Sequence, residues 1–175
     1  MKATQLRALQ EPLKQKYRDD PTMAVTPIGA RGDLRDKGIT ATVDGWAGPV
    51  RAGLHPATGG DGSDACSGDM LLQALLACTG GTLRSVATAM GLEIRSAVLR
   101  AEGCFDARGT LGVDRTVPVG VTDIVVTAVL DTDASEQELA RLAKSVERYC
   151  VVGQSLQQPP RFVVRPNFTP DGSRG

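Results

Sequence analysis

Apolar positions recur along this chain with two different periods, and each period marks a kind of element. Near the start Leu6, Leu9 and Leu13 repeat every three to four residues, the spacing of one helix face, with Thr4 placed to cap the helix and Pro21 to end it. From about 24 to 56 the pattern shortens. "MAVTPIGARGDLRD", "GITATVDGW" and "GPVRAGLHP" hold β-branched residues between Gly, Pro and Asp-Lys-Gly punctuation, which predicts a meander of short strands in an antiparallel sheet. The loop "HPATGGDGSDACSGD" offers Ser63, Asp64 or Ser67 as the cap of a helix over about 67–90. In that helix Met70, Leu71, Leu72, Ala74, Leu75, Leu76 and Ala77 cover every face of two turns, so the pattern predicts burial all round. Arg84, the pair Gly80-Gly81 and Thr79, Thr82 and Thr88 interrupt the run before the roughly 20 apolar residues a bilayer requires, so no membrane span is expected.

Two longer alternating stretches follow, "GLEIRSAVLRAEGCFDARG" and "VGVTDIVVTAVLDTD", which predict strands joined by a polar connection over 109–117. "TDASEQELARLAKSVERYC" opens with Asp133 or Ser135 as cap and Glu136 and Glu138 in the first turn. Its apolar stripe, Leu139, Leu142, Ala143 and Val146, reaches Cys150 at the next i+4 step, which points that thiol inward. A "VVGQSL" turn and the strand "PRFVVRPN" complete the pattern. The organisation expected is a helical extension over 1–22, one α+β domain over 23–168 and a frayed tail over 169–175.

Composition narrows what such a domain does. A chain of 175 residues suffices for one well-buried core. Twenty Lys and Arg against twenty Asp and Glu leave no basic footprint for nucleic acid or a membrane surface, and 3% aromatics argue against base stacking. The first residues lack a secretory h-region, so a cytoplasmic location is expected. In a reducing compartment the four cysteines are not a disulfide framework. No CxxC occurs and His55 is the single histidine, so neither a zinc site nor any other cofactor is expected. Cys104 reads as a packed strand residue, and Cys66 is assigned no role. Cys78 and Cys150 both face inward from helices, and if those helices pack side by side the sulfurs become neighbours. A buried dithiol suits redox chemistry, in which one thiolate is oxidised to a sulfenic acid and the second thiol captures it as a disulfide. The pattern also admits two inert packed cysteines.

"SGDMLLQALLAC" resembles the helix motif of the OsmC/Ohr family, usually a Pro-Glu-Glu-type start followed by an Ala/Leu-rich turn and Cys. "ERYCVVGQSL" resembles that family's second-cysteine motif, and the order of elements fits over about 24–166. The N-terminal helix resembles an extension found in some members. The resemblance implies an α+β fold of antiparallel sheets around a long central helix, an intertwined homodimer with two sites at its interface, and reduction of hydroperoxides, organic ones especially. Cys78 then matches the peroxidatic thiol and Cys150 the resolving thiol, with a small dithiol or a lipoylated protein as reductant. The family's thiolate-stabilising arginine falls on Arg35, because "GDLRDKGITATV" resembles the first hairpin, with Arg51 as second candidate and a protonated His55 as third.

The motif is broken at the helix start, where Ser67-Gly68-Asp69 replaces the Pro-Glu-Glu pattern. The glutamate position falls on Gly68, so Asp69 is the carboxylate on offer. Val151 stands where proline is common after the second cysteine. The missing glutamate motivates an alternative, a non-catalytic module of the same fold that holds a small hydrophobic or electrophilic ligand near Cys78. Gly80-Gly81 leads to a further expectation, that two copies of the 67–90 helix pack together and Arg35 of one chain approaches Cys78 of the other.

Overall fold

The computed structural model describes residues 1–167, so the tail expected over 169–175 lies outside the described residues. In chain order the elements are α1 (Ala3–Asp19), β1 (Gly32–Asp33), β2 (Thr40–Gly45), β3 (Gly48–Gly53), β4 (Ala65–Cys66), α2 (Ser67–Met90), β5 (Ser96–Cys104), α3 (Ala107–Thr110), β6 (Thr122–Asp131), α4 (Glu136–Tyr149), α5 (Val151–Gln154) and β7 (Arg161–Pro166). They form two compact units: Lys16–Gln73 with Cys104–Thr122, and Met1–Gln15 with Ala74–Gly103 and the chain from Asp123. The helix α1 already begins at Ala3, so Thr4 lies inside its first turn rather than capping it.

In the first unit the meander forms a four-stranded sheet of order β1-β2-β3-β4. Trp46 and Ala47 turn the hairpin between β2 and β3, with Gly45 opposite Gly48, and Trp46 at the tip is fully exposed. The pairs β1–β2 and β2–β3 are antiparallel as expected, but β4 runs parallel to β3, with Ala52 opposite Ala65 and Gly53 opposite Cys66.

The other unit holds a sheet of order β5-β6-β7 and the helices that carry both candidate thiols. Along β6, Ile124, Val126, Ala128 and Leu130 are buried at every second position, the period of a strand with one face on a core. Here too the all-antiparallel expectation fails, because β7 lies parallel to β6, Val125 opposite Arg161. The physical reason is the connection: a strand that returns through helices α4 and α5 can re-enter beside its predecessor in the same direction, whereas a tight turn reverses it.

The helix α4 is built as its sequence requires. Ser135 caps it, accepting from the Glu138 amide, while the Glu138 carboxylate accepts from the Ser135 amide at 2.8 Å, and Leu139, Leu142 and Val146 are buried. They join Leu83, Ala87, Ile94, Ala128 and Leu130 in one apolar cluster. Ser135→Ala removes the cap and should cost about 1 kcal/mol, read as a lowered urea midpoint with unchanged slope.

The helix α2 spans Ser67–Met90 as expected and runs unbroken through Gly80-Gly81; by length and composition alone it is long and apolar enough to cross a membrane. It departs from expectation in its burial, which is on one face rather than all round. Leu75, Thr79, Leu83 and Ala87, four apart, are buried, and Leu83 and Ala87 belong to the chain's own core, while Ala74, Ala77 and Gly81 are exposed. The close approach expected at the glycines is made within the chain at Gly80, where a Cβ would stand 3.1 Å from Leu99 Cδ1; at Gly81 nothing lies within 4 Å. Gly91, at φ +73°, ends the helix, and the next amide, of Leu92, closes back on the Ala87 carbonyl at 2.9 Å.

Candidate functional site

The buried stripe of α4 delivers Cys150 to the end of that helix, where it is at once the C-cap of α4 and the N-cap of α5. Its side chain is fully buried. The sulfur accepts from the Gly153 amide at 3.4 Å and stands 3.6 Å from the hydroxyl of Thr79, itself buried on the core face of α2. Cys78, half-buried, is the residue before Thr79 on α2, and each of the two thiols shifts the pKa of the other. The side-by-side packing that the sequence reading made its condition thus holds for the stretch of α2 around Thr79 and the end of α4.

Their environments divide the roles. Burial pushes the Cys78 thiol up, but the Val152 amide, the Cys150 thiol, the Thr82 hydroxyl and the Val151 amide together hold it below its ordinary value. Burial pushes the Cys150 thiol up, and donors at Gly153 and Thr79 offset only part of this, while the neighbouring charge of Cys78 adds to the rise. The two thiols are thus shifted in opposite directions, Cys78 down and Cys150 up. A lowered value means the thiolate persists to lower pH. Alkylation by iodoacetamide, followed by peptide mass across pH 5–10, should give Cys78 a midpoint below the ordinary thiol value of about 8.5 and Cys150 one above it. A Cys150 midpoint at or below that of Cys78 would contradict the division.

Sequence reasoning missed the groups that perform this tuning. Thr79 and Thr82 lie one and four positions after Cys78 on the same helix, a spacing that was legible. The amides of Val151, Val152 and Gly153 carry no side-chain signal at all. Val151 gains a meaning here: a proline in its place would have no N–H to donate to Cys78.

The remaining candidates lie in the other unit. Arg35 is exposed and spends its guanidinium on Asp33 two residues away, with Nε 2.6 Å from Oδ1. Asp69 is an exposed first-turn residue of α2 and makes no ion pair among the described residues. Arg51, the second candidate, projects from β3 onto Asp64, with Nε 2.7 Å from Oδ1 and Nη2 3.2 Å from Oδ2. Asp64 is largely buried, and it lies so close to β3 that a Cβ at Gly53 would stand 2.6 Å from its Oδ2. Arg51 and Asp64 thus form an ion pair between β3 and the loop before α2. His55 caps a 3₁₀ turn at Pro56–Thr58, its Nδ1 accepting from the Ala57 amide at 3.0 Å, and meets Phe105 edge-on with ring centroids 5.3 Å apart. Among the described residues no group of three or more His, Cys, Asp or Glu is placed to hold a metal ion.

Solved structures share this architecture at low identity. An OsmC-like protein from Mycoplasma pneumoniae superposes with a TM-score of 0.64 at 17% identity, over 81% of this chain and 96% of its own. An OsmC-like protein of unknown function from Vibrio cholerae gives 0.63 at 14%, over 81% and 99%. An organic hydroperoxide resistance protein from Elizabethkingia anophelis gives 0.63 at 12%, over 81% and 96%. No curated protein matches the chain. The OsmC-like protein family matches residues 60–165, a span that opens in the loop before α2 and holds both Cys78 and Cys150. With that span covering more than half of its length, this chain belongs to the OsmC-like protein family.

Proposed function

We propose that the protein is a thiol-dependent peroxidase that reduces organic hydroperoxides through Cys78 and Cys150. What supports this reading is the placement of the fully buried Cys150 sulfur 3.6 Å from the hydroxyl of Thr79, the residue after Cys78 on α2, together with a Cys78 thiol held below the ordinary range. The Cys78 thiolate attacks the outer oxygen of the hydroperoxide, the O–O bond breaks, and the alkoxide takes up a proton and leaves as the alcohol. Cys78 is then a sulfenic acid. Cys150 sulfur attacks it, water leaves, and a Cys78–Cys150 disulfide remains. A dithiol reductant, of the small or lipoylated kind, returns both thiols and is itself oxidised to a disulfide. The fold shared with organic hydroperoxide resistance proteins supports the choice of substrate class.

The cation in this reading is Arg35 of the partner copy, with Arg51 as second candidate. Arg35→Ala should slow oxidation of Cys78 roughly tenfold, the effect of about one unit in thiol pKa, and an unchanged rate there with a slowed one in Arg51→Ala would move the role to Arg51. The reading also takes a cytoplasmic homodimer, its second copy covering the exposed Ala74, Ala77 and Gly81 face of α2. Gly81→Ala on a free face should add roughly 0.5–1 kcal/mol of stability, whereas Gly81→Gln at a helix–helix contact should shift the sedimentation equilibrium toward monomer. The deciding assay supplies cumene hydroperoxide and dihydrolipoamide. Turnover accompanied by a Cys78–Cys150 disulfide supports the reading, and no consumption with any dithiol overturns it.

A further inference from the structure

Thr79 lies on the core face of α2 and is 1% exposed, in the same unit as Cys150. A hydroxyl taken out of water must find a partner, and a threonine within a helix commonly finds it in the carbonyl four residues back, as Thr88 does on the Arg84 oxygen at 2.8 Å. Thr79 does not. Its hydrogen-bond partner among the described residues is the Cys150 sulfur, 3.6 Å away and itself fully buried.

Two hydrogen-bonding groups of different kinds meet that sulfur. The Gly153 amide, 3.4 Å away, can only donate. The Thr79 hydroxyl carries one hydrogen and two lone pairs on a free rotor, so it accepts from an S–H and donates to a thiolate. With no exposed surface, the sulfur has no solvent to take over either task. Among the titratable side chains of the elements packed here, Glu147, Arg148 and Tyr149 of α4, Arg84 of α2 and Arg161 of β7 are exposed, and the one that acts on the sulfur is Cys78.

We propose that Thr79 is the positioning residue of the resolving step, its hydroxyl holding Cys150 as an S–H before Cys78 is oxidised and turning to donate to the sulfur as the disulfide forms. The inference rests on the peroxidase reading, which supplies that step. The Cys150 sulfur attacks the sulfur of the Cys78 sulfenic acid, the S–S bond forms as the S–O bond breaks, and the Cys150 proton leaves with the hydroxide as water. Negative charge thus passes through a buried sulfur, and without the hydroxyl only the Gly153 amide is left to donate to it there.

Thr79→Val against wild type, and Thr79→Ala against Thr79→Ser, each test the hydroxyl in a side chain of nearly constant shape, and either pair decides if a member of the other fails to fold. After one equivalent of cumene hydroperoxide, intact mass of dimedone-quenched samples should show Cys78 oxidised at the same rate in all four proteins. In the two that lack the hydroxyl, the sulfenic acid should become the disulfide roughly tenfold more slowly, the loss expected for one hydrogen bond to a charged group. A second readout requires no peroxide. The S–H stretch of Cys150, taken as the Raman difference between reduced protein and its Cys150→Ser variant, should move toward that of a free thiol in Thr79→Val and stay in place in Thr79→Ser. Closure at the wild-type rate in Thr79→Val, closure as slow in Thr79→Ser as in Thr79→Ala, or an unmoved S–H band in Thr79→Val overturns this inference and leaves the peroxidase reading standing. Wild-type protein that forms neither sulfenic acid nor disulfide overturns the peroxidase reading, and this inference with it.

Discussion

Cys78→Ser should abolish hydroperoxide consumption, by roughly a thousandfold or more, while the protein stays folded. A serine hydroxyl is not ionised at neutral pH, and the donors that lower Cys78, the amides of Val151 and Val152 and the Thr82 hydroxyl, cannot turn it into a comparable nucleophile. The residue is half-buried, so exchanging sulfur for oxygen opens little void. Cys150→Ser should behave differently. Its Cys78 remains oxidisable, so the variant consumes one equivalent of peroxide per chain and stops, leaving a sulfenic acid that dimedone traps and no disulfide. Rapid-mixing measurements of peroxide loss, together with intact mass after dimedone, separate the two variants. A Cys78→Ser protein that still forms a sulfenic acid at Cys150 would reverse the assignment, against the direction in which burial pushes the Cys150 thiol.

Leu142→Ala should destabilise the fold by about 2–5 kcal/mol, measured by urea unfolding. The side chain has no exposed surface and sits in the cluster that joins α4 to Leu83 and Ala87 of α2 and to Ala128 and Leu130 of β6. Truncation leaves a cavity among residues from three elements, which cannot all close on it at once. The same helix carries Cys150 two turns further on, so a loosened α4 should also slow disulfide closure after Cys78 is oxidised. A loss below about 1 kcal/mol would mean that these contacts are not the core.

Everything local to one element was written in the chain itself. The span of α2, the Ser135 cap with Glu138, the stripe that carries Leu139, Leu142 and Val146 to Cys150, and the alternation of Ile124 to Leu130 follow from side-chain period and capping chemistry, which act over a few residues. That Cys150 faces inward at the end of α4 was legible as well, because it continues the stripe of Leu139, Leu142 and Val146. Tertiary structure decided the rest. Whether β4 and β7 run parallel to their neighbours depends on the path of the chain between them, which no period encodes. Two consecutive apolar turns could not reveal that only the face with Leu75, Thr79, Leu83 and Ala87 meets the chain's own core. Arg35 and Arg51 look alike as letters, and only the fold gives one a neighbour two residues away on the surface and the other a largely buried carboxylate brought in from the loop before α2. The amides that hold Cys78 low belong to every residue alike. What singles out those of Val151 and Val152 is the turn from α4 into α5, a backbone direction that exists only once the helices are packed.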